Sequence, residues 1–331
     1  MGRFMKNVER EEKMGMVIVS GSANRPLAEA VCGCLGIDLG RAVVGRFADG
    51  EVRIKEFPHV RGKHVVIIQS TNPPAENWLE LMLLIDTAVS SSAKSITVVM
   101  PYMGYARQDR KDGAHSPIAT RVVIRMIESI LANIPSMLFT FDLHSSQTQA
   151  VSARPFENLF LSSTLLEALK DSDWANTVII SPDAGGVRRA RAIAERLGSD
   201  VAFVDKRRTG PNQSEVMNLV GEVRGKEAVF VDDMVDTAGT LVKGAESVMD
   251  AGAKRVVAVT SHALLSGTAV QKISDSPIGR LIVSDTVFIP PEKKFEKLKI
   301  VSSASLLGKA IRRIHDGGEV SPLFDQAFSW L

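Results

Sequence analysis

The chain has 331 residues, of which 45% are hydrophobic and 24% charged, with a formal net charge of +2. So even a balance excludes a general nucleic-acid or membrane-surface binder, and an aromatic content of 5% argues against stacking platforms for bases. No apolar stretch is long enough to cross a bilayer, and the length suggests two domains.

Residues 1–14 mix Arg3, Lys6, Glu9, Arg10 and Glu11 without the apolar core of a signal peptide. They read as a loose tail, and Lys6 stands where an acylation signal after Gly2 needs Ser or Thr. Val17-Ile18-Val19-Ser20 opens a strand-like run that leads into a helical pattern ending at Leu35-Gly36. Cys32 and Cys34 lie within that helix and read as small packing thiols; with no disulfide framework, a reducing compartment fits. Phe47-Ala48-Asp49-Gly50-Glu51-Val52-Arg53 is a compact acidic turn that by itself reads as a hairpin.

A second strand follows Gly62-Lys63 and runs out into Gln69-Ser70-Thr71-Asn72-Pro73-Pro74. A helix then leads through Ala93-Lys94 to a strand at 96–100. Beyond Pro101-Tyr102-Met103-Gly104-Tyr105 comes Ala106-Arg107-Gln108-Asp109-Arg110-Lys111-Asp112. Its cations suit either a polyphosphate clamp or a solvated loop. After the apolar run 137–141 stands Asp142-Leu143-His144, whose histidine is either structural or functional.

The same order then repeats. Val178-Ile179-Ile180-Ser181 begins a unit ending at Leu197-Gly198, and Gly225-Lys226-Glu227 begins one that passes through Ala253-Lys254 into a strand at 256–260. The copies are offset by roughly 160 residues, a domain-sized period. Near-continuous Val and Ile strands alternating with helices predict mostly parallel sheets flanked by helices. The expected organisation is two duplicated α/β domains, 15–155 and 156–331.

The copies differ where strands meet loops, which is where ligands bind in open α/β sheets. The second half carries Ser181-Pro182-Asp183-Ala184-Gly185-Gly186 and Asp232-Asp233-Met234-Val235-Asp236-Thr237-Ala238-Gly239-Thr240. Thr237, Ala238, Gly239 and Thr240 are compact enough for backbone amides to approach an anion at a helix start. Asp232 and Asp233 would repel a phosphate, so they must face something else; the hydroxyls of a ribose are suitable partners, directly or through a hydrated cation. A Walker-type loop is absent, since the string 221–226 has the wrong spacing and no hydroxyl after its lysine. Lys206-Arg207-Arg208 precedes Thr209-Gly210-Pro211-Asn212 and reads as a surface basic cluster or as a cationic lid over transferring phosphates.

Taken together these stretches resemble the class I ribose-phosphate pyrophosphokinases (phosphoribosyl pyrophosphate synthetases) over nearly the whole chain. The resemblance implies two phosphoribosyltransferase-like domains, the C-terminal one carrying the ribose 5-phosphate and pyrophosphate loops. It implies transfer of the β,γ-pyrophosphoryl group of Mg-ATP to ribose 5-phosphate, with release of AMP. ATP contacts fall on Phe47, Asp49, Glu51, Arg107, Gln108, Asp109 and His144. The positions Asp183, Ala184, Gly185 and Gly186 form the pyrophosphate loop. Asp232 and Asp233 correspond to the ribose-hydroxyl acids, and Asp236, Thr237, Ala238, Gly239 and Thr240 to the 5-phosphate loop. His144 and Asp183 match the Mg2+ contacts, and Lys206 and Arg208 the catalytic cations. The family assembles as hexamers built from dimers, with the acidic turn reaching into a neighbouring subunit, so a cytoplasmic homo-oligomer is expected.

One departure stands out. Where the family usually has Gly-Phe-Phe-Asp, this chain has Ala150-Val151-Ser152-Ala153, and Glu157 replaces the usual Asp. The change keeps open a non-catalytic regulatory homologue, and the shared phosphate loop keeps open a phosphoribosyltransferase.

Overall fold

The computed structural model describes residues 15–207 and 216–325, so the tail expected at 1–14 lies outside it. The chain forms β1 (Met16–Ser20), α1 (Arg25–Leu35), β2 (Val43–Arg46), β3 (Val52–Glu56), β4 (His64–Ile68), α2 (Glu76–Ser90) and β5 (Ser95–Met100). Next come α3 (Ala119–Leu131), β6 (Ser136–Phe141), β7 (Phe156–Leu159), α4 (Ser162–Leu166), β8 (Thr177–Ser181), α5 (Val187–Leu197), β9 (Asp200–Arg207) and β10 (Val216–Val220). Then follow β11 (Glu227–Val235), α6 (Gly239–Asp250), β12 (Arg255–Ala263), α7 (Ala269–Asp275), β13 (Ile278–Ser284), β14 (Leu298–Val301) and α8 (Ala304–His315).

Two units result. In the first, β1-β4-β5-β6-β7 form a parallel sheet. Met16, Ile18, Val19, Val65, Val66 and Ile67 are each 0% exposed, because helices cover both faces and every apolar side chain finds a partner layer. In the second, the order is β10-β9-β8-β11-β12-β13-β14, parallel except for the β9–β10 hairpin.

The duplication shows in the register. Val17 pairs with Val65, which pairs with Ile96; Val178 pairs with Ala228, which pairs with Val256. These are the positions that the sequence repeat aligns, so the two sheets were built on one template of crossovers.

The boundary expected at 155 moves. Strand β7 completes the first sheet, with Phe156 opposite Leu138, so the first unit runs through Phe160. It also takes back Thr286–Phe288 and Ser302–Asp325, which the expected 156–331 domain had placed with the second half. The reason is the amphipathic face of α8: Leu307, Ala310 and Ile311 are fully buried, and Arg312 donates a hydrogen bond to the Leu35 carbonyl at the end of α1 (3.3 Å).

The last residue of α8 makes a second tie. His315 stacks on His64 at the start of β4, with ring centroids 5.3 Å apart and the two Nδ1 atoms at 3.0 Å. His64 Nε2 lies 2.8 Å from the Thr97 hydroxyl. Burial, and secondarily the neighbouring His315, lower the His64 pKa from 6.5 to about 4. The unfolded chain therefore takes up a proton between pH 6.5 and 4 that the folded chain refuses. Stability should fall as pH drops through that window, and His64→Gln should flatten the slope. Thermal melts from pH 7 to 4 on both proteins check this; parallel slopes would contradict it.

Candidate active site

The second unit collects its polar loops at the carboxyl ends of β8 and β11. After β8 the chain turns at once into α5. The Ser181 hydroxyl donates to the Asp183 carbonyl (2.7 Å), and the Gly186 amide donates to Asp183 Oδ1 (3.0 Å). A side chain at Gly186 would put its Cβ 2.6 Å from the Ser181 hydroxyl, so the turn closes only around glycine. Asp183, Ala184 and Gly185 stay exposed at the positive end of the α5 dipole.

Strand β11 runs further than expected. Its apolar run ends at Val231, where residue type alone would start the loop, yet the parallel ladder continues, with Asp232 opposite Thr260 and Met234 opposite His262. Strand alternation sends the two adjacent acids to different environments. Asp233 is 5% exposed and Asp232 half-buried.

Arg189, from the first turn of α5, compensates them. Its guanidinium lies 3.2 Å from Asp233 Oδ1 and 3.8 Å from Asp232 Oδ1. The Asp233 amide also donates to Asp232 Oδ1 (2.9 Å). Burial and the Asp233 carboxylate push the Asp232 pKa well above the ordinary carboxylate value, and Arg189 acts in the opposite direction. Such a pair seeks further donors, either hydroxyl groups or a cation.

Beyond β11, Asp236 accepts a hydrogen bond from the Ser266 amide (2.9 Å), and Thr237 accepts one from Lys272 Nζ (3.4 Å). Ala238 then adopts φ 60° and ψ 0°, a left-handed conformation that costs a non-glycine residue about 1 kcal/mol or more. That turn starts α6 immediately, and first-turn amides have no acceptor within their own helix. Thr237 and Thr240 are exposed beside them. Carboxylates, a strained turn and a helix start thus follow one another within nine residues of the sequence, 232–240. The arrangement suits a ligand with hydroxyls at one end and a phosphate at the other.

In the first unit the predicted residues occupy the corresponding loops and one hairpin. Phe47, Asp49 and Glu51 form the exposed tip between β2 and β3. The tip is closed by hydrogen bonds from the Phe47 amide to the Glu51 carbonyl (2.9 Å) and from the Glu51 amide to Asp49 Oδ1 (3.0 Å). The Arg53 guanidinium lies 4.9 Å from the Phe47 ring centroid. Arg107 and Gln108 are exposed on the loop after β5, with Asp109 half-buried beside them. That loop is held by hydrogen bonds from the Gln108 amide and the Thr120 hydroxyl to the Tyr105 carbonyl (3.0 and 2.7 Å). His144 is exposed after β6, where the Leu143 amide donates to Asn158 Oδ1 (3.0 Å).

The departing segment is fastened to α3. The Ser152 hydroxyl and the Ala153 amide both donate to Glu128 Oε1 (2.8 and 2.6 Å). Lys206 lies in β9, in register with Met217 of β10. Arg208 lies outside the described residues.

Sequence reasoning missed Arg189. A signal existed, since an arginine in the first turn opposes the helix dipole and is favoured only when an anion faces it.

The comparisons with known proteins agree with one another. Residues 16–130 match the model of the N-terminal domain of ribose phosphate pyrophosphokinase, and residues 206–325 that of a phosphoribosyl synthetase-associated domain. The chain is 44% identical over 311 residues to ribose-phosphate pyrophosphokinase 2 of Enterococcus faecalis, covering 93% of this chain and 95% of that one. It is likewise 44% identical over 312 residues to the ribose-phosphate pyrophosphokinase of Aquifex aeolicus, covering 94% and 99%. The phosphoribosylpyrophosphate synthetase of Mycobacterium smegmatis is similar in structure, with a TM-score of 0.85, 31% identity and coverage of 92% and 99%.

Arg189→Ala removes the guanidinium that lies 3.2 Å from Asp233. Breaking a fully buried pair costs about 3–5 kcal/mol. Because Arg189 is partly exposed, about 2 kcal/mol is expected. The loss should be larger at pH 8 than at pH 5, since the raised pKa of Asp232 makes protonation on the acid side relieve it. Chemical denaturation at the two pH values measures the difference; equal losses would remove the charge compensation.

Proposed function

The chain belongs to the ribose-phosphate pyrophosphokinase family, and on that premise we propose that it makes phosphoribosyl pyrophosphate from ATP and ribose 5-phosphate. The observation that carries the reading is the strand–turn–helix of residues 232–240. The acids of β11 suit the ribose hydroxyls, and the start of α6 suits the 5-phosphate. The turn at Asp183, Ala184, Gly185 and Gly186 faces the pyrophosphoryl group, and Phe47, Asp49, Glu51, Arg107, Gln108, Asp109 and His144 contact ATP.

In the reaction the anomeric oxygen of ribose 5-phosphate attacks the β-phosphorus of ATP in line. The new bond joins that oxygen to the β-phosphorus, and the bond from the β-phosphorus to the α-phosphate oxygen breaks. AMP departs with the bonding pair, and the hydroxyl proton is lost. Positioning and charge neutralisation matter more than covalent chemistry in such transfers. The amide-lined turns restrain the anionic ends of the substrates, and Arg189 keeps the ribose-binding acids oriented. Lys206 and Arg208 offset charge on the transferring oxygens.

Mg2+ is the expected cofactor. Asp183 fits it, being exposed with one carboxylate oxygen engaged by Gly186 and offering the hard oxygen that the ion prefers. Among the described residues no three His, Cys, Asp or Glu side chains converge on a cation site. This suits an ion that keeps several waters and binds largely through substrate phosphates. His144 supplies a nitrogen, a less typical ligand. When bound, Mg2+ neutralises phosphate charge.

Among the described residues no helix is long and apolar enough to cross a membrane. A cytoplasmic enzyme is proposed, assembled as a hexamer built from dimers with the acidic hairpin contributed to a neighbouring subunit.

Purified protein given Mg-ATP and ribose 5-phosphate should release AMP and phosphoribosyl pyrophosphate in equal amounts. A phosphoribosyltransferase would release no AMP, and a regulatory homologue would stay inactive alone. Lys206→Ala should keep the fold and ribose 5-phosphate binding but lose about two orders of magnitude in kcat, the ~3 kcal/mol of one charge-stabilising group. Steady-state kinetics with a binding isotherm test this, and near-normal turnover would remove Lys206 from the mechanism.

A further inference from the structure

The first unit contains a feature that the proposed reaction does not use. Just beyond β1, the Ser22 amide donates a hydrogen bond to Glu80 Oε1, and the Ser22 hydroxyl donates to Glu80 Oε2 (2.7 Å). Gln69 Nε2 donates to Glu80 Oε1 as well (3.0 Å). The Gln69 carbonyl oxygen in turn accepts from the Ala23 amide (3.2 Å). Glu80 is 4% exposed and Gln69 1%. Any side chain at Gly21 would strike both of them. A buried carboxylate therefore sits in a glycine-tight turn between a strand end and a helix start, gripped by an amide, a hydroxyl and a side-chain amide.

The duplicated register says what this turn corresponds to. Ser22 lies two residues beyond the end of β1, as Asp183 lies two beyond the end of β8. Gln69 follows Gly62 at the distance at which Asp232 follows Gly225. Glu80 is the fifth residue of α2, and the fifth residue of α6 is Lys243. The first unit thus keeps the strand–turn–helix frame, lacks the acid pair, and carries an anion of its own where the second carries a cation.

We propose that the β1–α1 turn is the first unit's copy of the oxyanion turn, filled by the Glu80 carboxylate as an internal stand-in for a phosphate. The chain then offers substrate one such turn instead of two. The comparison rests on reading the Asp183 turn as an anion site, but the test below does not pass through that turn.

Removing the carboxylate should expose a site for a small oxyanion. Glu80→Ala in the full chain should lower the unfolding midpoint, and formate, which replaces the lost group, should restore it in a saturable way. Inorganic phosphate, being larger, should restore it less. Wild type and Glu80→Gln, whose turns are full, should gain no more from formate than from chloride at equal ionic strength. Glu80→Gln keeps the shape and can give its carbonyl to the Ser22 and Gln69 amides, but it loses the charge and turns its NH2 towards the Ser22 hydroxyl donor, and should weaken folding by about tenfold in the unfolding equilibrium. Folded Glu80→Ala that gains nothing from formate beyond wild type would overturn the proposal. So would Glu80→Gln as stable as wild type, which decides the matter if Glu80→Ala does not fold at all. Turnover in Asp183 variants reports separately on the second unit's turn.

Discussion

Two adjacent carboxylates at the end of a buried strand repel each other and any phosphate nearby. Asp232 and Asp233 persist beside the positive start of α6 because Arg189 reaches them from α5. Much of the second unit's local structure follows from that balance. The guanidinium must come from a helix beginning close to the end of β8, so the turn at Asp183 has to be short. Gly186 makes it short by admitting no side chain against Ser181. Ala238 accepts a left-handed backbone so that α6 starts at once and its amides lie near the acids in sequence. Groups suited to hydroxyls and groups suited to a phosphate thus fall within one strand–turn–helix.

The first unit shows the same frame under different chemistry. Its sheet repeats the parallel order and the register of the second, so loops that follow equivalent strands fall at equivalent places. What differs is a handful of polar side chains. Gln69 stands in place of an acid, and Ser22 and Glu80 close a turn that stays open at Asp183. Parallel sheets tolerate such divergence because their strands are held by apolar contacts on both faces, leaving the loops at their carboxyl ends free to change. The hairpin tip at Phe47 and the loop at Arg107 show the same freedom. Both are exposed and internally hydrogen-bonded, so they keep their shape without a core.

Chain order and structural unit part company at the C-terminus. Helix α8 belongs to the first unit because its apolar face is covered there, next to α1, and His315 completes the attachment against His64. A burial-depressed histidine at that joint links the seating of a remote helix to proton concentration. The contacts of the pair, with each other and with Thr97, are packing contacts within the first unit, so the coupling is one of stability.

Sequence alone determined the fold class and pointed to the family. Val and Ile strands at a period near 160 residues allow little besides two parallel sheets. The run from Asp232 to Thr240 was legible through residue type as acids, small residues, then a helix. Tertiary structure decided what depends on distant partners. Strand β11 outran its expected end because the Asp232 and Met234 backbones found Thr260 and His262 across the ladder, which no local pattern announces. Strand β7 and α8 joined the first unit because their apolar faces were covered there, a matter of which surface is nearest in space. Arg189 and Glu80 were legible as charges but silent as to roles. A charge acquires a role only when folding supplies its counterpart and removes the water that would otherwise screen it.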